Sequence, residues 1–164
     1  MKARARLSAA AATLAAAASG CIDTDAAVFV APSIAAPEAT VSAGALGTSL
    51  QATFTLQLHL GSRASGPSRV AVRTFEIASA DQKTSIVAPL AVETTTALPV
   101  EVAPGSDVAV AFTADTSAEG GTLPSEAAAA LCAAEGIRIT GSIEDSLEDG
   151  ATPVASDVFH ARCP

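Results

Sequence analysis

Residues 50–60 read LQATFTLQLHL, and apolar and polar side chains alternate through the whole stretch. The apolar set comprises Leu50, Ala52, Phe54, Leu56, Leu58 and Leu60. Successive side chains of a β-strand point to opposite faces, so this period of two predicts a long strand with one buried and one solvated face. A half-solvated strand is typical of an antiparallel sheet, and the fold class follows from it.

Similar short runs occur along the rest of the chain. The predicted strands are 27–34, 50–60, 69–78, 98–102, 107–114, 137–143 and 154–163. Within 69–78 the apolar phase slips between Val72 and Phe75, which indicates a bulge or a crossing between sheets. Residues 86–92 are apolar but contain Pro89, which suits an edge segment. Residues 35–48 fit either a ragged edge strand or a linker.

Turn residues separate these runs. Residues 103–106 read Ala-Pro-Gly-Ser and predict a hairpin between the strands on either side. Residues 144–153 are predicted to form a polar loop. After residue 124 the sequence predicts one short helix, 126–135, with Ser125 as its N-cap and Gly136 as its stop.

Seven or eight short strands with one helix predict an all-β fold, an antiparallel β-sandwich of immunoglobulin or fibronectin type III style. The run from 50–60 through the Val-x-Pro-Gly turn to DVAVAF (107–112) resembles that superfamily of bacterial surface modules. The resemblance covers residues 28–164 and is architectural. The Cys…Trp…Cys signature of immunoglobulin domains is missing, since the sequence contains no Trp.

Composition excludes several classes of protein. Alanine fills 40 of the 164 positions and aromatic residues make up 3%, which predicts a core of small aliphatic side chains. The net charge of −8 and the few aromatic residues argue against nucleic acid as a partner. We found no motif of an enzyme or of a nucleotide-binding loop and predict neither catalysis nor a cofactor.

The first twenty residues, MKARARLSAAAATLAAAASG, read as a secretory signal peptide. Lys2, Arg4 and Arg6 give a positive start, and the apolar stretch that follows is too short for a membrane span of about 20 residues. Without these three charges the remaining chain carries 6 Lys and Arg against 17 Asp and Glu, a net charge of −11. Such a chain is expected to stay soluble and to stand off anionic surfaces.

The junction Ala18-Ser19-Gly20-Cys21 resembles the lipobox of bacterial lipoproteins, with Ala18 where the family prefers Leu. The resemblance implies that Cys21 carries a diacylglycerol, that residues 21–27 form a short tether and that 28–164 is the folded domain. Ile22 stands where an Asp retains such lipoproteins at the inner membrane, so the resemblance favours the outer membrane of a two-membrane bacterium. Ordinary signal-peptidase cleavage after Gly20 is the alternative.

Two further cysteines, Cys132 and Cys163, predict a disulfide in an oxidising compartment. The alternative is a metal site at His160 and Cys163, whose spacing is His-x-x-Cys. His160 has the parity of Val154 and Val158, which indicates an inward position, whereas His59 lies on the polar face of its strand. We interpret both histidines as structural or solvated side chains.

The densest group of carboxylates is Glu144, Asp145, Glu148 and Asp149. These residues are candidate Ca²⁺ ligands because a cation would relieve their mutual repulsion, but the spacing of an EF-hand loop is missing. A solvated hairpin tip is the alternative, and we expect weak or absent Ca²⁺ binding.

The sequence therefore predicts a non-enzymatic envelope lipoprotein, held to the membrane by its N-terminal lipid, with a structural or protein-binding role. The alternative is a small-ligand or metal-binding periplasmic lipoprotein that uses loop 144–149 or the His160/Cys163 end.

Overall fold

A computed structural model of the protein describes residues 26–45, 47–117 and 122–164. Over these residues it contains eight strands and one helix. The elements are β1 (Ala31–Gly44), β2 (Gly47–Leu60), β3 (Ser68–Ser79), β4 (Ser85–Val87), β5 (Val100–Val102), β6 (Ser106–Asp115), α1 (Ser125–Ala133), β7 (Ile137–Asp145) and β8 (Ala151–Ala155). No helix of the described part is long and apolar enough to span a membrane.

The strands form two antiparallel sheets that pack face to face, which confirms the predicted all-β, immunoglobulin-like sandwich. One sheet has the order β1-β2-β6, and the other has the order β4-β3-β7-β8, with β5 on the same side of β3 as β4. Three rings join the sheets at the centre. Phe75 of β3 lies 4.7 Å from Phe54 and 5.2 Å from Phe112, measured between ring centroids. The core therefore combines an aromatic centre with flanks that are mostly Leu, Ile and Val, so the small aliphatic core that the composition predicted is wrong.

The strand at 50–60 is confirmed and begins three residues earlier, at Gly47. Its six apolar side chains are all buried. Of the two alternatives for 35–48, the ragged edge strand is largely correct. β1 runs to Gly44 and has an irregular register between Ala35 and Glu38. Of the two alternatives for the phase slip in β3, the bulge is present, between Val72 and Thr74.

The predicted hairpin between 98–102 and 107–114 is wrong. β5 pairs with β3 and β6 pairs with β2, so the turn between them crosses from one sheet to the other. The turn itself is present: Gly105 has a φ of +72°, and its N–H donates to the carbonyl of Leu60 over 2.7 Å. Pro and Gly mark a reversal of the chain, but the partner of each strand depends on distant packing.

The predicted last strand at 154–163 and the loop before it also need correction. β7 extends to Asp145 and β8 occupies only Ala151–Ala155. The chain then leaves the sheet and bonds to both sheets in turn. Phe159 exchanges two backbone hydrogen bonds with Ile137 of β7, and Arg162 bonds to the backbone on either side of Thr40 in β1. This segment closes one side of the sandwich. Because its bonds alternate between two sheets, its side chains do not follow the period of two of a regular strand.

The predicted short helix is confirmed as α1, although its ends differ. The helix begins at Ser125 itself, with Pro124 in the capping position and no side-chain cap. It ends at Ala133 because Ala134 has an extended backbone. Leu131 is its buried residue and holds it against the sandwich.

Candidate functional site

A disulfide joins Cys132 in α1 to Cys163 in the C-terminal segment, as the sequence predicted. The two Cα atoms are 5.9 Å apart and the residues are 31 positions apart. The bond fastens the helix to the segment that closes the sandwich. It also engages the sulfur of Cys163, so the alternative His160/Cys163 metal site has no thiolate while the bond is intact.

Cys21, the signal peptide at 1–20 and most of the tether at 21–27 lie outside the described residues.

Asp145 does not belong to a solvated loop, which corrects the prediction for this member of the acidic group. Its side chain is buried, with 3% of the residue exposed. One carboxylate oxygen accepts from the backbone N–H of Val30 over 2.6 Å. The other accepts from the Ser68 hydroxyl and from the N–H of Leu147, the latter over 2.9 Å. Three donors of the protein thus occupy the carboxylate, which points inward.

The remaining acidic residues of this group point in different directions. Glu144 forms an ion pair with Arg73, and its carboxylate raises the pKa of that guanidinium through the hydrogen bond and the attraction of opposite charges. Glu148 accepts a hydrogen bond from Thr152 over 3.0 Å, and Asp149 is exposed. No three His, Cys, Asp or Glu side chains converge on a metal-sized site within the described ranges.

The two histidines lie on the surface. Nδ1 of His59 is 2.7 Å from a carboxylate oxygen of Asp107, its cross-strand partner on β6, which agrees with the predicted polar face. His160 is exposed, so the inward position predicted from its parity is wrong. Parity fails there because residues 156–164 do not continue the strand.

A concave surface of the described part lies on the outer face of the five-stranded sheet, with a volume of about 680 Å³. We call it the outer groove. Thr74 and Glu76 of β3 and Thr140 and Ser142 of β7 line it. The register sets Glu76 opposite Thr140 and Thr74 opposite Ser142, so four polar side chains form one floor. Two prolines line the groove as well, Pro89 after β4 and Pro153 on the edge strand β8.

Glu76 is the charged group of this floor. One carboxylate oxygen accepts from the Thr140 hydroxyl over 3.2 Å and the other from the Ser85 hydroxyl over 2.7 Å. The carboxylate is half-buried, and no Lys or Arg pairs with it among the described residues. Two hydroxyl donors therefore fix the Glu76 carboxylate in the groove.

Sequence reasoning did not single out the outer groove. The only signal in the sequence was the alternation of Phe75 and Ile77 with Glu76, which places Glu76 on the outer face of the sheet. The neighbours of Glu76 come from β4 and from β7, 9 and 64 positions away in the chain. Their proximity depends on strand pairing, which no local pattern reveals.

No protein-family model matches the chain, and no curated protein resembles its sequence significantly.

Proposed function

We propose that the protein is a non-enzymatic envelope lipoprotein, anchored at Cys21 to the outer membrane of a two-membrane bacterium, whose sandwich domain binds a protein partner. The leader and the lipobox-like junction support the anchor. The Cys132–Cys163 disulfide supports an oxidising compartment, where such bonds form and persist.

The observation that carries the binding role is the fixed carboxylate of Glu76 in the outer groove. A half-buried carboxylate gains most from a charge-assisted hydrogen bond with an ammonium or guanidinium group. The groove volume of about 680 Å³ falls within the range of about 300–1,000 Å³ that is typical of ligand sites. We therefore propose that the groove accepts a segment of a partner protein that presents a Lys or Arg side chain to Glu76.

Metabolic labelling with an alkyne-bearing fatty acid tests the anchor. Wild-type protein should carry the label and fractionate with the outer membrane, whereas the Cys21→Ser variant should carry none. Ile22→Asp serves as the control for destination, since it should keep the label and move to the inner membrane. An unlabelled wild-type protein would refute the anchor.

Titration with short peptides tests the groove. The probes are two capped tripeptides, Ala-Lys-Ala and Ala-Gln-Ala, followed by NMR of the backbone amides. The Lys peptide should shift the amides of Glu76, Thr140 and Ser142, and the Gln peptide should not. Glu76→Gln should abolish the shifts and the control Glu93→Gln should preserve them. Equal shifts with both peptides, or in both variants, would refute recognition of a cation by Glu76.

The alternative function, a metal or small ligand at 144–149 or at His160 and Cys163, receives less support. The Asp145 carboxylate is occupied by three donors of the protein and the Cys163 sulfur by Cys132. A thermal melt in millimolar CaCl₂ tests this alternative. We expect no increase of several degrees in Tm, and a large increase would favour the alternative.

A further inference from the structure

The N-terminal segment of the described chain is fixed at one end of the sandwich. The N–H of Val30 bonds to Asp145, the last residue of β7, and β1 begins one residue later. The end of β2 lies at the same place, because Ala31 pairs with His59. We call this the N-terminal end of the sandwich. The chain that leads to Cys21 departs from here.

Two large apolar side chains are exposed at this end. Val28 is 47% exposed and Phe29 is 44% exposed. Among the five Phe of the chain, Phe54, Phe75 and Phe112 are buried in the core. Phe29 is therefore an exception in a protein that contains few aromatic residues, and it adjoins a second exposed apolar residue.

The distance along the chain to the proposed anchor is short. Val28 follows Cys21 by seven residues, and a chain reaches at most ~3.6 Å per residue, so Val28 lies within about 25 Å of the lipidated atom. Cys21 is held at the membrane surface in the proposed function. The anchor would thus keep the N-terminal end of the sandwich near the bilayer.

We infer that Val28 and Phe29 insert into the interfacial region of the membrane that holds the anchor and seat the sandwich with its N-terminal end on the bilayer. This inference rests on the proposed lipidation of Cys21. An adjacent pair of exposed apolar side chains adds buried apolar area to that of the acyl chains, and two such signals together hold a protein more firmly than one.

The contact is apolar and not electrostatic. Arg63 and Arg69 are exposed near this end, but Glu101, Glu148 and Asp149 are exposed there as well. The charges of opposite sign leave no basic patch that would attract anionic lipids. The seating should therefore persist on neutral lipids and in high salt.

The sequence contains no Trp, so a single introduced Trp reports on its own surroundings. We would replace Phe29 by Trp (F29W) in the mature lipidated protein and reconstitute it into phosphatidylcholine vesicles with brominated acyl chains. The matched control is V158W. Val158 is also 44% exposed but adjoins Gly136, at the opposite end of β7. In the vesicles, we expect the Trp of F29W to emit at shorter wavelength than the Trp of V158W and to be quenched by bromine. V158W should show neither change, and both results should hold in low and in high salt.

Mass spectrometry of the N-terminal peptide accompanies the measurement and separates the two ways of failing. Lipidated F29W that is not quenched overturns the inference and leaves the proposed anchor intact. Equal quenching of F29W and V158W, or quenching of F29W that high salt abolishes, also overturns it. A blue shift of F29W without quenching would mean that a protein, such as a second copy of this chain, covers Val28 and Phe29. This result would also overturn the inference. An unmodified Cys21 refutes the anchor, and the inference with it.

Discussion

The carboxylate of Asp145 accepts a hydrogen bond from the backbone N–H of Val30, a residue 115 positions earlier in the chain. The same carboxylate accepts from the Ser68 hydroxyl at the start of β3. One buried side chain thus joins the entry to β1, the start of β3 and the end of β7. Asp145, which the sequence places in a solvated acidic loop, is therefore a buried residue that links three strands of the domain.

Replacement of Asp145 by Asn should destabilise the domain by about 3 kcal/mol. The amide NH₂ would face a buried N–H or O–H group that now donates to the carboxylate, and two donors cannot bond to each other. Urea unfolding followed by circular dichroism measures the change. The control Asp149→Asn alters an exposed carboxylate of the same group and should stay within about 0.5 kcal/mol of wild type. Equal losses in both variants would contradict the central role of Asp145.

Removal of the disulfide should lower stability by about 4 kcal/mol, the loop-closure value for a bridge of this span in the chain-entropy model. The double variant Cys132→Ser, Cys163→Ser closes no loop and should melt roughly 10 °C below the oxidised protein. Calorimetry measures the shift. The reduced wild type should have the same Tm as the double variant. If the double variant instead had the Tm of the oxidised wild type, the bridge would add no stability.

Gly141→Ala should destabilise the core by about 2 kcal/mol through overpacking. A Cβ at this position would lie 2.6 Å from the carbonyl oxygen of Thr74 and would also collide with the ring of Phe75. Chemical denaturation measures the loss. Gly66→Ala is the matched control, since nothing lies within 4 Å of its added Cβ, and it should unfold close to wild type. A neutral Gly141→Ala would mean that β3 and β7 separate easily.

The pKa of Asp81 is lowered, chiefly because the Ser79 hydroxyl donates to its carboxylate over 2.6 Å, with a further contribution from the N–H of Lys83. Because the folded pKa lies below the unfolded one, the ionised carboxylate stabilises the loop above the unfolded pKa. This contribution disappears as the pH falls through the folded pKa. It is small because Asp81 is exposed.

Carbon-detected NMR titration of the Asp81 carboxyl group measures this pKa. Ser79→Ala should raise it by removing the main donor. Lys83→Ala serves as the control and should raise it less, because the backbone N–H of residue 83 remains. The reverse order would show that the Lys83 charge, and not the Ser79 hydroxyl, holds the pKa down.

The alternation at 50–60 was sufficient to predict β2 and its buried face, since a strand presents its pattern locally. The helix α1 and the phase slip in β3 were also visible in the local sequence, although a bulge and a crossing between sheets both fitted the slip. The hairpin across 103–106 was not, because a Pro-Gly turn fits equally well within a sheet or between two sheets. Glu76 and Thr140 could not be joined from the sequence, as their contact depends on the register of β3 against β7.

The sequence by itself determined the fold class, the inward set of side chains in β2 and the bond between Cys132 and Cys163. These properties follow from periodicity over a few residues and from residue chemistry. Only the tertiary structure decided which strands pair, that Asp145 lies inside and that Val28 and Phe29 lie outside at one end. Those outcomes depend on contacts between residues more than 100 positions apart. There the free energy of packing the whole chain, and not any local preference, selects the arrangement.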